Sequence, residues 1–134
     1  MIKNLNHIGI AVANLEKAIE AFKKIFQVEL FHIESVESQG VKIASFRVGE
    51  VLIELTAPLS TDSPIAKFIE KRGEGIHHLA FEVDDVENEL NRLKQEGISV
   101  VNEQPTEGAH QMRIAFLHPK STNSVLIELC QKIL

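Results

Sequence analysis

The sequence predicts an α+β domain in which one unit, a strand followed by a helix and three more strands, is used twice. Three observations predict it. The pentapeptide Val51-Leu52-Ile53-Glu54-Leu55 recurs unchanged as Val125-Leu126-Ile127-Glu128-Leu129, 74 residues further on. Upstream, Asn6-His7-Ile8-Gly9-Ile10-Ala11-Val12 aligns with His77-His78-Leu79-Ala80-Phe81-Glu82-Val83 at an offset of 71. Each upstream segment is followed by a stretch whose apolar residues fall at helical spacing. At 134 residues the chain has the length of one domain, with internal repeats over about 1–58 and 75–134 and a connector over 59–74.

In the first unit the opening segment alternates, so His7, Gly9 and Ala11 share one face. Ile8, Ile10 and Val12 form the other, which is the face expected to meet the core. Asn14 is placed to cap a helix with Leu15, Ala18, Ile19, Phe22 and Phe26 on one stripe. Strands are expected over Val28–Ile33, Gly40–Val48 and the pentapeptide beginning at Val51. In the connector, Ser63-Pro64 is a helix-start signal ahead of Ile65, Phe68 and Ile69, with Gly73 beyond. The second unit opens with His78, Ala80 and Glu82 on one face and Leu79, Phe81 and Val83 on the other. Asp84, with Glu87 three residues later, is expected to start a helix carrying Val86, Leu90 and Leu93, which Gly97 ends. Strands over Ile98–Asn102, Met112–Leu117 and the repeated pentapeptide complete the pattern.

Hydrophobic residues make up 44% and charged residues 25%, the balance of a folded globular chain rather than a disordered one. The net charge of −5, with no basic run, argues against a nucleic-acid partner. No apolar stretch has the length of a membrane span, and Met1–Asn6 leads into strand-like residues rather than a signal-peptide core, so a cytoplasmic location is expected. The single cysteine, Cys130, excludes an intramolecular disulfide and a multi-cysteine zinc site, and reads as a small core or rim hydrophobe.

The candidate chemistry lies in the doubling. A strand histidine taken singly is more often a satisfied core residue, and a strand glutamate a surface carboxylate. Here His7 precedes Glu54 by 47 residues and His78 precedes Glu128 by 50, each pair near the two ends of its unit. Two imidazole nitrogens and two carboxylates suit one borderline or hard divalent ion, and leave positions for water or a substrate oxygen. Cobalt, manganese, zinc, nickel and iron all accept such a set. His77 faces away from His78 and reads as structural or supporting, His32, His110 and His118 have no repeat partner, and Glu50, Glu82 and Glu103 read as solvated charges. The polar loop Lys120-Ser121-Thr122 reads from its spacing as an ordinary hairpin, with an anion contact as the alternative.

At these residues the sequence resembles the vicinal oxygen chelate superfamily and, within it, the methylmalonyl-CoA epimerase family. The resemblance rests on His7–Val12, Gln39-Gly40-Val41, Ser63–Phe68, Gly73–Asp85, Gly108-Ala109-His110 and Ile114–Thr122, and runs over nearly the whole chain. It implies paired βαβββ modules forming a cupped, barrel-like mixed sheet around one divalent metal, in a homodimer. Carried over position by position, its metal site falls on His7, Glu54, His78 and Glu128. The doubling would place Glu54 and Glu128 on opposite sides of the substrate, with Glu128 expected as one catalytic base ahead of Glu54 as the other; the resemblance points to the Lys120-Ser121-Thr122 loop as holding the substrate, with Gln39 and Gly40 as weaker candidates near its acyl group. Some family members place a glutamate where this chain has Ile43, which leaves the second base open. The implied activity is metal-assisted proton transfer at C2 of methylmalonyl-CoA through an enolate, the ion stabilising the charge that develops at the thioester oxygen.

Two other readings use the same residues. A glyoxalase I type lactoylglutathione lyase has similar length, fold and ligands, and also performs metal-assisted proton transfer next to a carbonyl. A metal-free binding protein of this fold would sequester a small molecule, but has no need of the four ligand types. The stretches Gly75–Asp85 and Leu117–Thr122 favour the epimerase.

Overall fold

A computed structural model of the chain describes residues 1–29 and 31–133. Among the described residues, eight strands and three α-helices follow one another as β1 (Ile2–Ala11), α1 (Leu15–Phe26), β2 (His32–Val36), β3 (Val41–Val48), β4 (Val51–Pro58), α2 (Pro64–Arg72), β5 (Gly75–Val83), α3 (Val86–Gln95), β6 (Thr106–Glu107), β7 (Met112–Leu117) and β8 (Ile127–Lys132). They form two compact units, Met1–His7 with His78–Leu134 and Ile8–His77, so β1 contributes its first half to one and its second half to the other.

In the unit of Ile8–His77 the strands run in the order β2-β3-β4-β1. β2, β3 and β4 form an antiparallel meander with Val36 opposite Val41 and Val48 opposite Val51. Its core is Val12, Ala44, Leu55 and Ala57, covered by Leu15, Ala18, Ile19 and Phe22 of α1. Asn14 caps α1 by accepting from the Lys17 N–H at 3.1 Å, and Gln27 ends it in the left-handed region. The connector helix is present as α2, with Ser63 accepting from the Ala66 N–H and Pro64 in its first turn. Gly40 links β2 to β3 with φ of 67°, and a Cβ there would stand 3.0 Å from the Ser63 Cβ, so both the turn and the approach of α2 require glycine.

In the unit of Met1–His7 with His78–Leu134 the order is β1-β5-β8-β7-β6. β5 and β8 are parallel and β8, β7 and β6 antiparallel, which makes a mixed sheet. Val83, Val86, Leu90, Ala115, Leu117 and Leu129 pack together beneath α3. A second cluster of Ala80, Met112, Ile114 and Cys130, with Phe116 against it, occupies the other face.

Several expectations are corrected. The strand expected over Val28–Ile33 begins only at His32, because Gln27 turns the chain at the helix end; Leu30 lies outside the described residues. No strand forms over Ile98–Asn102, where side chains take ladder positions. Asn102 Oδ1 accepts from the Phe116 N–H at 2.8 Å and Ser121 Oγ from the Ser99 N–H at 2.9 Å, leaving one isolated bridge from Val100 to Leu117. The cap of α3 is Asp85 rather than Asp84, accepting from the Asn88 N–H at 3.1 Å, while Asp84 pairs with Lys3 at 3.4 Å. The last strand starts at Ile127 rather than Val125. Along β1 and β5 the histidine-bearing faces are the better buried ones, with His7, Gly9 and Ala11 and His78, Ala80 and Glu82 all buried, because their small neighbours admit close cover. Glu82 is therefore not a solvated charge but a buried one, 3.7 Å from the Lys3 ammonium.

Candidate metal centre

Period-two alternation turns His7 of β1, His78 of β5 and Glu128 of β8 to one face of their sheet. The parallel register of β5 and β8 sets Ala80 opposite Glu128, and Ala80, fully buried, leaves space beside the carboxylate. His7, His78 and Glu128 retain only 5%, 7% and 4% of their exposure. His7 Nε2 and His78 Nε2 stand 3.2 Å apart, with the rings edge to face at 90°. The two oxygens of Glu128 complete the group, Oε1 at 3.3 Å from His78 Nε2 and Oε2 at 3.5 Å from His7 Nε2. Two imidazole nitrogens and a carboxylate converge in a water-poor place, where a charged group left unmatched is costly. Nitrogen and carboxylate oxygen donors of this kind fit a divalent ion.

Three neighbours shape this group, and none was singled out as a site residue from the sequence. Asn6 Oδ1 lies 2.7 Å from His7 Nδ1. An amide oxygen only accepts, so His7 carries its hydrogen on Nδ1 and presents a lone pair at Nε2. The adjacency of an amide to a candidate ligand was the available sequence signal. Phe116, opposite Glu128 in the β7–β8 register, sets its ring edge to face against His78 at 5.8 Å and 86°. Cys130, fully buried, brings its sulfur within 4.8 Å of ligand atoms of His7 and Glu128. For Cys130 the period-two spacing from Glu128 was the available signal; for Phe116 only the strand pairing could reveal the contact.

The other candidates occupy distinct surroundings. Glu54 lies on β4 of the other unit, 2% exposed, opposite Ser45 in the β3–β4 register. Ile43, also buried, is opposite Thr56. Gln39 ends a 3-10 turn, half-buried, ahead of the structurally required Gly40. Lys120 is exposed in a 3-10 turn over Pro119–Ser121, and its N–H donates to His118 Nδ1 at 3.1 Å. Ser121 accepts from Ser99, as above, and the Thr122 hydroxyl donates to the Val125 carbonyl, so the turn is tied at both ends. Lys120, Lys94, His118 and Ser99 line a cavity of about 350 Å³. His77 packs on Phe68 with ring centroids 4.8 Å apart, consistent with a structural residue.

Comparison with known proteins places this geometry among relatives. A family model described as the glyoxalase, bleomycin resistance protein and dioxygenase superfamily matches residues 6–116. An ethylmalonyl-CoA/methylmalonyl-CoA epimerase of Cereibacter sphaeroides is 39% identical over 98% of this chain and 99% of its own length. The crystal structure of methylmalonyl-CoA epimerase from Mycobacterium tuberculosis is 40% identical with a TM-score of 0.94, over 99% of this chain and 90% of that one. A methylmalonyl-CoA epimerase structure in complex with methylmalonyl-CoA and ammonium is 34% identical with a TM-score of 0.93, over 98% of this chain and 96% of that one. Among the described residues, no helix is long and apolar enough to cross a membrane.

Proposed function

The chain belongs to the glyoxalase, bleomycin resistance protein and dioxygenase superfamily, and on that premise we propose that it interconverts the (R) and (S) forms of methylmalonyl-CoA. It is an isomerase, an epimerase acting on a CoA thioester. The observation that carries the reading is the convergence of His7 Nε2, His78 Nε2 and the Glu128 carboxylate. In a chain 39% identical to an epimerase of this substrate class, that donor set is suited to a cation beside an enolisable thioester.

His7, His78 and Glu128 hold one divalent ion, and Glu54 is assigned as the fourth donor. The assignment of Glu54 is supported by its place in the repeated pentapeptide and by its burial. When bound, the ion supplies Lewis-acid stabilisation of the negative charge that develops next to the thioester carbonyl. The chain's own groups move the proton. A Glu128 carboxylate oxygen released from the ion would remove the C2 hydrogen from one face, and Glu54, released from the ion in its protonated form, would deliver its own proton on the other. The aliphatic Ile43 can hold no proton, and Glu54 is assigned in this reading as the second base. Ala80 and Phe116 stand opposite Glu128 in the strands on either side of β8 and border the base. Lys120 attracts the CoA phosphates, with Ser121 and Thr122 shaping its turn and Gln39 and Gly40 bordering the acyl group; the cavity beside Lys120 supports a role in binding. The reading includes a homodimer and a cytoplasmic location.

Proton NMR of methylmalonyl-CoA in deuterated buffer tests this. Rapid metal-dependent loss of the C2 hydrogen signal, abolished by chelation and in Glu128→Ala, is the expected result. Exchange at the uncatalysed rate in every sample, with conversion of the methylglyoxal–glutathione adduct instead, assigns the chain to the lyase.

A further inference from the structure

The cavity of about 350 Å³ beside Lys120 lies wholly within the unit of Met1–His7 with His78–Leu134, and its volume is that of a small-ligand site. Two ammonium groups, Lys94 and Lys120, and the imidazole of His118 line it against a single carboxylate, that of Glu103, on a chain whose net charge is −5. Lys94 stands in the last turn of α3. The final carbonyls of that helix, on Arg92, Leu93 and Lys94, already accept from the N–H groups of Glu96, Gly97 and Ile98, which blunts the negative end of its dipole toward an anion. The Lys94 ammonium is half-buried and is held by Glu103, by the carbonyl at 3.4 Å and the carboxylate at 3.1 Å. The Glu103 side chain keeps 75% of its exposure, so its carboxylate can swing away without disturbing any packing. Lys120 is exposed and forms no ion pair among the described residues. His118 Nδ1 accepts from the Lys120 N–H, so the ring carries its hydrogen on Nε2 and can donate it to an anion. We propose that this cavity seats the 3′-phosphate of a CoA thioester, with Lys94 and His118 joining Lys120 as its donors and Glu103 holding Lys94 in place until the phosphate displaces it. This rests on the reading of methylmalonyl-CoA as the substrate. The 3′-phosphate is the one phosphate monoester of CoA, with a charge of about −1.5 to −2, and it outcompetes a singly charged, exposed carboxylate for an ammonium group.

The test compares methylmalonyl-CoA with its dephospho form, which lacks the 3′-phosphate, in steady-state kinetics of the full chain and of Lys94→Ala and Glu103→Gln. Calorimetric titration with adenosine 3′,5′-bisphosphate gives a readout that needs no turnover. In the wild type the dephospho substrate should show a Michaelis constant about tenfold higher, the loss expected when charge-assisted hydrogen bonds go unmade. Lys94→Ala should raise the constant for methylmalonyl-CoA about tenfold and leave that for the dephospho substrate within about twofold. Glu103→Gln should lower the constant for methylmalonyl-CoA about threefold and tighten adenosine 3′,5′-bisphosphate to the same degree, because a competing anion is gone. Equal constants for the two substrates in the wild type, or a higher constant for methylmalonyl-CoA in Glu103→Gln, overturn the proposal and leave the epimerase reading standing. No turnover of either substrate, with adenosine 3′,5′-bisphosphate bound by the wild type and about tenfold more weakly by Lys94→Ala, overturns the epimerase reading and leaves the phosphate site standing. Neither turnover nor binding overturns both. Should Lys94→Ala fail to fold, the wild-type comparison of the two substrates decides.

Discussion

Replacing Glu128 by glutamine keeps the side-chain shape and removes one negative charge from a group that is more than nine-tenths buried. In the metal-free protein the change costs little. Glutamine can donate to an imidazole nitrogen across the present 3.3 or 3.5 Å separations, and a buried carboxylate carries a desolvation penalty that an amide escapes. With metal the two proteins part. An ion at about 100 times its dissociation constant stabilises the folded state by about 2.7 kcal/mol. For 134 residues at about 2.1 cal/mol/K each, the unfolding entropy is about 0.28 kcal/mol/K, so the ion raises the wild-type melting temperature by about 10 °C. If loss of the charged ligand weakens binding about 100-fold, the same ion concentration only matches the new dissociation constant, and the stabilisation falls to about 0.4 kcal/mol, or under about 2 °C. Thermal melts of both proteins, with and without manganese or cobalt, measure this directly. An equal metal-induced shift in wild type and Glu128→Gln refutes the placement of Glu128 in the centre.

Asn6→Ala frees His7 to carry its hydrogen on either ring nitrogen, and metal affinity is expected to fall about 10–100-fold. Nitrogen NMR of the His7 ring should report the loss of a single tautomer, and an unchanged spectrum removes Asn6 from a positioning role. Leu90→Ala opens a cavity among Val83, Val86, Ala115, Leu117 and Leu129 and should cost about 3 kcal/mol in chemical denaturation. The N-terminal ammonium, assisted by Arg92 at 2.9 Å, holds the Glu89 carboxyl below its ordinary value of 4.5. The stabilisation is full above the unfolded-state value and is lost as pH falls through the lower folded-state one. Glu89→Gln should therefore be less stable at neutral pH, with the difference from wild type vanishing in acid; a difference that grows in acid contradicts the sign. Lys120→Ala should raise the Michaelis constant for methylmalonyl-CoA more than it lowers turnover, and an unchanged constant removes Lys120 from the binding surface.

Much of this molecule was legible in one dimension because its information is periodic. Period two along β1 and β5 groups His7 with Gly9 and Ala11 and His78 with Ala80 and Glu82, although the opposite faces were the ones expected to meet the core, and the cap at Asn14 and the start at Ser63-Pro64 are local hydrogen-bonding facts. The repeated pentapeptide marked Glu54 and Glu128 as equivalent before any pairing was known. Where the reading failed, a competing partner lay far along the chain. Asn102 and Ser121 take backbone positions that propensity alone assigns to a strand, and Lys3 reaches the carboxylate of Glu82 that composition alone assigns to solvent.

The sequence by itself determined the α+β class, the residue types of the candidate centre and which neighbours share a strand face with each, since these follow from local periodicity and composition. Tertiary structure alone decided the distances among His7, His78 and Glu128, the ring of Phe116 against His78 and the approach of the Cys130 sulfur to His7. Those depend on strand order and register, set by pairings between residues as distant as Ala80 and Glu128 or Phe116 and Glu128. Alternation states which way a side chain points. Only the neighbouring strand, brought alongside by the packing of the whole unit, states what it meets.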